Sequence, residues 1–196
     1  MINCIIAGVG GQGTVLASKL IAEAAMSKGM NVRTTETIGM AQRGGCVVSH
    51  VRMGEHINSP LVPLNSSDVI IAFEPAEAVR VLPYLAENGL MIVCDSIIKP
   101  VTSSLSGDSY AAKEMTDYLS RNTSRLIVVS GKQLLAECKN PKVLNVALLG
   151  VAAESSIFPF DAETARNIVQ AKIPERFLEM NLAAFDIGRK IYNETV

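Results

Sequence analysis

The sequence has no cluster of lysine and arginine longer than a few residues and no net charge to speak of, at −1. That argues against an electrostatic surface for nucleic acid or for an anionic membrane. No apolar run reaches the roughly 18 residues that a membrane-crossing helix needs. The opening stretch MINCIIAGVGGQG is apolar, but it has neither the basic start nor the small-residue cleavage site of a signal peptide. No Pro/Gly/Ser-rich linker, internal repeat or low-complexity tract divides the 196 residues. The expectation is one domain over 1–196 in a cytoplasmic protein. Disorder is excluded by composition, because 48% of the residues are hydrophobic and only 19% charged.

Close cysteine pairs are also missing. Cys4, Cys46, Cys94 and Cys138 each stand more than 40 residues from the next. Zinc and iron–sulfur sites usually take two thiolates from one short loop, because a tight turn can aim both at one metal. The spacing therefore predicts reduced core cysteines and no metal site. His50 and His56 have no metal-ligand pattern around them and read as surface or hairpin residues. No nucleophile elbow, Walker lysine loop or HExxH is present. Gly107-Asp108-Ser109 begins like a thiamine diphosphate motif, but the third glycine and the Asn-Asn pair that should follow are absent, so it is rejected.

What is present alternates between strand and helix. Ile2–Ala7 is a short apolar run ending in glycines, as in a strand buried on both faces. Thr14–Lys28 follows as a helix with Lys19, Glu23 and Ser27 on its wet face and Leu16, Leu20 and Ala24 among its apolar positions, stopped by Gly29. Asn31–Glu36 reads as a second strand. Cys46–Met53 alternates as a strand with one solvated face, and Gly54-Glu55-His56 would turn it into a hairpin extending from the main sheet. Asp68–Phe73 and Leu90–Cys94 read as buried strands flanking a helix over Pro75–Glu87, and Ser96–Ser109 as a mobile loop. Tyr110–Arg121 reads as a helix and Leu126–Val129 as a strand, with helices onward from Lys142. Val143–Ala153 is apolar nearly all round, which predicts a buried helix, and Asp161 caps another. The last, opened by Pro174, carries two apolar stripes and so needs cover from two sides, from the domain itself or from a partner. The predicted architecture is α/β: a doubly wound, mostly parallel sheet with helices on both faces, a β-hairpin extension and extra C-terminal helices.

Two glycine-lined loops are the chemical candidates. Gly8, Gly10, Gly11, Gln12 and Gly13 lie in a G-x-G-x-x-G segment between strand and helix, where backbone N–H groups and the helix dipole favour an anion. The alternative is a tight turn serving helix–sheet packing. Glu36, 23 residues past Gly13, occupies the place of a ribose-binding acid, so a stand-alone NAD- or FAD-binding protein remains open, as does a regulatory nucleotide-binding module. The second loop, Gly39–Gly45, contains Gln42, Arg43, Gly44 and Gly45. Its arginine is free of bulky neighbours and able to meet a carboxylate or phosphate through two donors, or else to tie down its own loop. In a parallel sheet both loops fall at the carboxyl edge of the strands, where ligands bind. Glu74, at the same edge, is a weaker candidate, since a carboxylate at a helix start is favourable in any case.

Taken together, GVGGQG, ETIGMAQRGGCVVSHVRMG, SPLVP, DVIIAFEPAEAVR and Asn145-x-x-x-Leu149-Gly150 resemble the gamma-type domain of 2-oxoacid:ferredoxin oxidoreductases, and most nearly the indolepyruvate-type beta subunit. Ile38 departs from the histidine that relatives often carry. The resemblance implies a hetero-oligomer in which a larger partner subunit holds thiamine diphosphate and [4Fe-4S] clusters. There the 2-oxo acid loses CO2, coenzyme A takes the acyl group and ferredoxin takes the electrons. It assigns this chain no catalytic residue and no cofactor of its own. Gly8, Gly10, Gly11, Gln12, Gly13, Gln42, Arg43, Gly44 and Gly45 would line the contact with the partner's active-site region or with coenzyme A phosphates.

Overall fold

The computed structural model describes residues 1–38, 45–99 and 111–195. Six strands form one sheet: β1 (Ile2–Val9), β2 (Asn31–Ile38), β3 (Cys46–Gly54), β4 (Ser67–Ala72), β5 (Leu85–Cys94) and β6 (Arg125–Val129). Their order is β2-β3-β1-β4-β5-β6, with β3 antiparallel to both neighbours and the β1-β4-β5-β6 ladders parallel. The helices are α1 (Thr14–Ser27), α2 (Pro75–Val81), α3 (Ala112–Asn122), α4 (Gly131–Cys138), α5 (Leu144–Glu154), α6 (Ala162–Lys172) and α7 (Glu175–Thr195).

Strand alternation divides the core into two layers. Cys4, Ile6, Val69, Ile71, Leu90 and Ile92 point toward α1 and the C-terminal helices α4–α7. Ile5, Ala7, Ile70, Ala72, Met91 and Val93 point toward α2 and α3. Each central strand is apolar on both faces because both are covered, so it reads as a continuous hydrophobic run. The α5 helix has every residue from Asn145 to Ala153 buried, as its uniform composition predicts. The middle of α7 packs within the chain, mainly against α5 and α6, with Ala184, Phe185 and Ile191 buried, whereas Phe177 near its start is exposed. At the α5–α7 crossing, Arg189 donates to Glu154 at 2.7 Å.

The structure corrects the sequence reading in four places. The hairpin is β2–β3, joined across residues 39–45 and lying inside the sheet, whereas the expected turn at Gly54 leads into a loop. The β3 face expected to be solvated is partly covered by the loop that follows the strand, which receives Arg52 at Ser59 O and Leu61 O and His50 at the Val62 N–H, so that His50 is only 3% exposed. The helix expected over Pro75–Glu87 stops at Val81 and passes through a 3-10 turn, Leu82–Tyr84. Pro83 accounts for this, since it lacks the N–H that a continuing helix would use. Finally, α4 was not anticipated.

The burial of His50 has a pH consequence. Its Nδ1 accepts the Val62 N–H at 3.2 Å and its ring meets Tyr84 edge-on at 5.6 Å. Desolvation holds its pKa below the ordinary 6.5, so the folded state favours the neutral ring. The unfolded chain then takes up the proton first as pH falls. This contribution to stability is complete above 6.5 and is lost as pH drops from there toward the folded-state value. Urea midpoints measured at pH 7.5 and 5.5 should fall more for the native chain than for His50→Gln; equal falls would mean that the ring titrates normally.

Candidate functional site

At the carboxyl edge of the sheet, β1 ends at Val9 and the chain turns through Gly10–Gly13 into α1. Gly8 is a packing glycine, for a Cβ there would lie 2.9 Å from both Gln12 Oε1 and Thr14 Cγ2. Gly11 and Gly13 hold left-handed backbone, with φ of 101° and 84°. The side-chain amide of Gln12 ties this turn to the strands: its Oε1 accepts the Val9 N–H at 2.7 Å, and its Nε2 donates to Phe73 O at 3.1 Å. Gln12 therefore bridges the ends of β1 and β4. The N–H groups of Gly11 and Gly13 have no acceptor among the described residues, and α1 begins without a side-chain cap. Unsatisfied N–H groups at a helix start form a local positive potential.

The second loop reaches the first through its last residue. Gly10 N–H donates to Gly45 O at 2.8 Å, just before Cys46 pairs with Val9. Gln42, Arg43 and Gly44 lie outside the described residues. Glu74, fully buried at the same edge, caps α2 by accepting the Ala76 and Glu77 N–H groups at 2.7 and 3.1 Å. The carboxylate of Glu77 lies 3.3 Å from Arg80 and beside Cys46. His56 is exposed in the loop after β3.

A cavity of about 440 Å³ opens beside the turn. Gly10, Gly11 and Gln12 form one wall. Ser96 and Ile98 after β5, Leu134, Leu135 and Cys138 of α4, and Val143 and Leu144 at the start of α5 form the rest, with Lys142 among the lining residues. Its volume is that of a small-molecule site. The sequence reading missed this side because it left α4 unassigned. A signal was available: Ser130 stands three residues before Gln133, the spacing of a capping box, and Ser130 Oγ does accept the Gln133 N–H at 3.3 Å. Asp95 adds a second cap by accepting the Gly131 N–H at 2.7 Å.

Burial is the first cause that raises all four thiols; Cys46 is pushed up to about 12, helped by Glu77 and opposed by Arg80. Neutral thiols are poor nucleophiles and poor metal ligands. Cys4 and Cys94 are fully buried, whereas Cys46 and Cys138 are half-buried rather than core residues. Among the described residues, no three histidine, cysteine or acidic side chains converge as metal ligands. The donor set therefore does not fit an iron–sulfur cluster. No helix among the described residues is long and apolar enough to cross a membrane.

The dinucleotide alternative finds no support in this geometry. A ribose acid belongs on the strand next to β1, but β3 takes that place and puts β2 about 10 Å away, two strand spacings. Glu36 is exposed there, and its nearest polar partner is Ser18 Oγ at 3.5 Å.

Comparison with known proteins agrees. Residues 3–191 match the family model described as pyruvate ferredoxin/flavodoxin oxidoreductase. An indolepyruvate oxidoreductase subunit IorB from Pyrococcus horikoshii is 34% identical over 194 residues, covering 98% of this chain and 96% of the relative. The gamma subunit of a keto/oxoacid ferredoxin oxidoreductase from Geobacter sulfurreducens superposes with a TM-score of 0.73 at 20% identity, covering 99% of this chain and 97% of the other. A 2-oxoglutarate:ferredoxin oxidoreductase from Magnetococcus marinus gives 0.72 at 21% identity, and all of this chain corresponds to 31% of that one. The fold as a whole is thus shared with these structures, and the chain belongs to the pyruvate ferredoxin/flavodoxin oxidoreductase family.

Proposed function

We propose that this chain is the cofactor-free subunit of an indolepyruvate-type 2-oxoacid:ferredoxin oxidoreductase, working in the cytoplasm with a larger subunit that carries thiamine diphosphate and [4Fe-4S] clusters. The observation that carries the proposal is the nearly full-length similarity to IorB, combined with a glycine turn at the sheet edge whose Gly11 and Gly13 N–H groups have no acceptor among the described residues. The partner supplies decarboxylation and electron transfer to ferredoxin. This chain supplies a preorganised surface: Gly10, Gly11, Gln12 and Gly13, packed over the buried Gly8, with Gln42, Arg43, Gly44 and Gly45 from the second loop. That surface meets coenzyme A phosphates or the partner's active-site region. Open N–H groups at a helix start suit a phosphate without any further charged group.

Co-expression with the larger subunit tests this. Arylpyruvate- and coenzyme A-dependent reduction of ferredoxin should need both chains, and the isolated chain should bind neither NAD nor FAD in calorimetry. Micromolar dinucleotide binding by the isolated chain, or turnover without this chain, would refute it. Within the complex, Arg43→Ala should lower turnover roughly ten- to a hundredfold, the loss expected of a charge-assisted contact, while the isolated chain stays folded. Unchanged turnover removes Arg43 from the surface.

A further inference from the structure

Asn145, which stands 132 residues from the turn in sequence, touches it in space. Its side chain is 3% exposed, at the first turn of α5. Nδ2 donates to Gly13 O at 3.3 Å, and Oδ1 accepts the Val146 N–H at 3.0 Å. Gly13 O already accepts the Ala17 N–H at 3.1 Å, the first bond of α1, so the carbonyl is held from two directions. The fit is close: a Cβ on Gly13 would lie 2.5 Å from Nδ2 and 3.1 Å from Cγ of Asn145. Gln12 meanwhile fixes the other side of the turn to β1 and β4.

Two side-chain amides, one from within the turn and one from α5, thus use up the turn's inward-facing groups. Among the described residues the N–H groups of Gly11 and Gly13 have no acceptor, and Gly11 lines the cavity. The next residue on the N-terminal side of Asn145 is Leu144, which lines that cavity. We propose that Asn145 is a positioning residue: through Gly13 O it sets the direction of the N–H groups of Gly11 and Gly13, and so the affinity of the surface for the phosphates of coenzyme A. The assignment of coenzyme A rests on the function proposed above; the clamp itself does not.

The test uses the assembled complex and two variants. Asn145→Leu keeps the branching at Cγ, with bulkier methyl groups, and removes both the donor to Gly13 O and the acceptor for Val146. Asn145→Asp keeps the acceptor for Val146 and donates to Gly13 O only when its carboxyl is protonated. Amide exchange over residues 8–14 is read by mass spectrometry, beside separate KM values for coenzyme A and the 2-oxo acid. Asn145→Leu should speed exchange of the turn and raise the coenzyme A KM about tenfold, the equivalent of one lost hydrogen bond, with the 2-oxo acid KM unchanged. Asn145→Asp should show the same defect at pH 8 and recover part of it at pH 6. Should Asn145→Leu not fold, Asn145→Asp carries the test alone. Native exchange and native coenzyme A KM in either folded variant, with only a lower thermal midpoint, overturn the proposal. Faster exchange with an unchanged coenzyme A KM leaves the clamp standing and refutes coenzyme A as the ligand of the turn.

Discussion

Replacing Gly188 with alanine is expected to lower the thermal midpoint of the chain by roughly 6–12 °C, the shift produced by about 3 kcal/mol in a chain of this length. Gly188 lies in the middle of α7 where that helix crosses α5. A Cβ there would run into Ala147 O and stand 2.9 Å from Ala147 C, and on the facing helix a Cβ at Gly150 would run into Phe185 O. Both obstacles are backbone inside a helix, so neither can swing aside. The helices would have to separate and open Phe185, Ala184 and Leu148, all fully buried. Overpacking of a rigid contact costs about 1–3 kcal/mol, and more where nothing yields. The sign makes the test sharp. In a helix with open space, glycine to alanine stabilises by about 1 kcal/mol, because alanine loses less backbone entropy. An unchanged or higher midpoint would mean that α5 and α7 do not meet this closely.

The α5–α7 crossing is structural, yet it bears on the site because α5 delivers Asn145 to the turn. Nothing in the spacing of Asn145 and Gly13 reveals that contact. A hydrogen bond across 132 positions depends on how the last helices fold back over the sheet. By contrast, the strands were readable because burial on both faces leaves uninterrupted apolar runs such as IIAF (70–73) and MIVC (91–94). The helix over 144–154 was readable for the same reason. The place of β3 was not, since an alternating run looks alike at a sheet edge and between two strands; only its partners decide, and they are β1 and β2. His50 was misplaced with it. The glycine turn was legible because glycines at a strand–helix junction have few other uses. The other side of the site was not, because the cavity wall comes from α4 and the start of α5, which contain no residue type that announces chemistry.

The turn itself supplies the other large effect. Gly13→Ala should cut turnover of the assembled enzyme at least about tenfold, while Gly29→Ala should leave it within about twofold of native, since the energies involved differ by more than 1.4 kcal/mol. The two glycines share a left-handed backbone, φ 84° and 79°, so alanine brings a similar backbone cost of about 1–2 kcal/mol at each. Their surroundings differ. Gly29 has nothing within 4 Å of an added Cβ, whereas at Gly13 the added atom meets Asn145 Nδ2 at 2.5 Å. Asn145 must then turn away from Gly13 O, and a buried amide without a partner costs about 1–3 kcal/mol more. If this displacement is the cause, Gly13→Ala and Asn145→Leu should not add, because each destroys the same contact. Turnover of the double variant should match that of the worse single variant. Full additivity would place the defect of Gly13→Ala in backbone strain alone and leave Asn145 without a part in it.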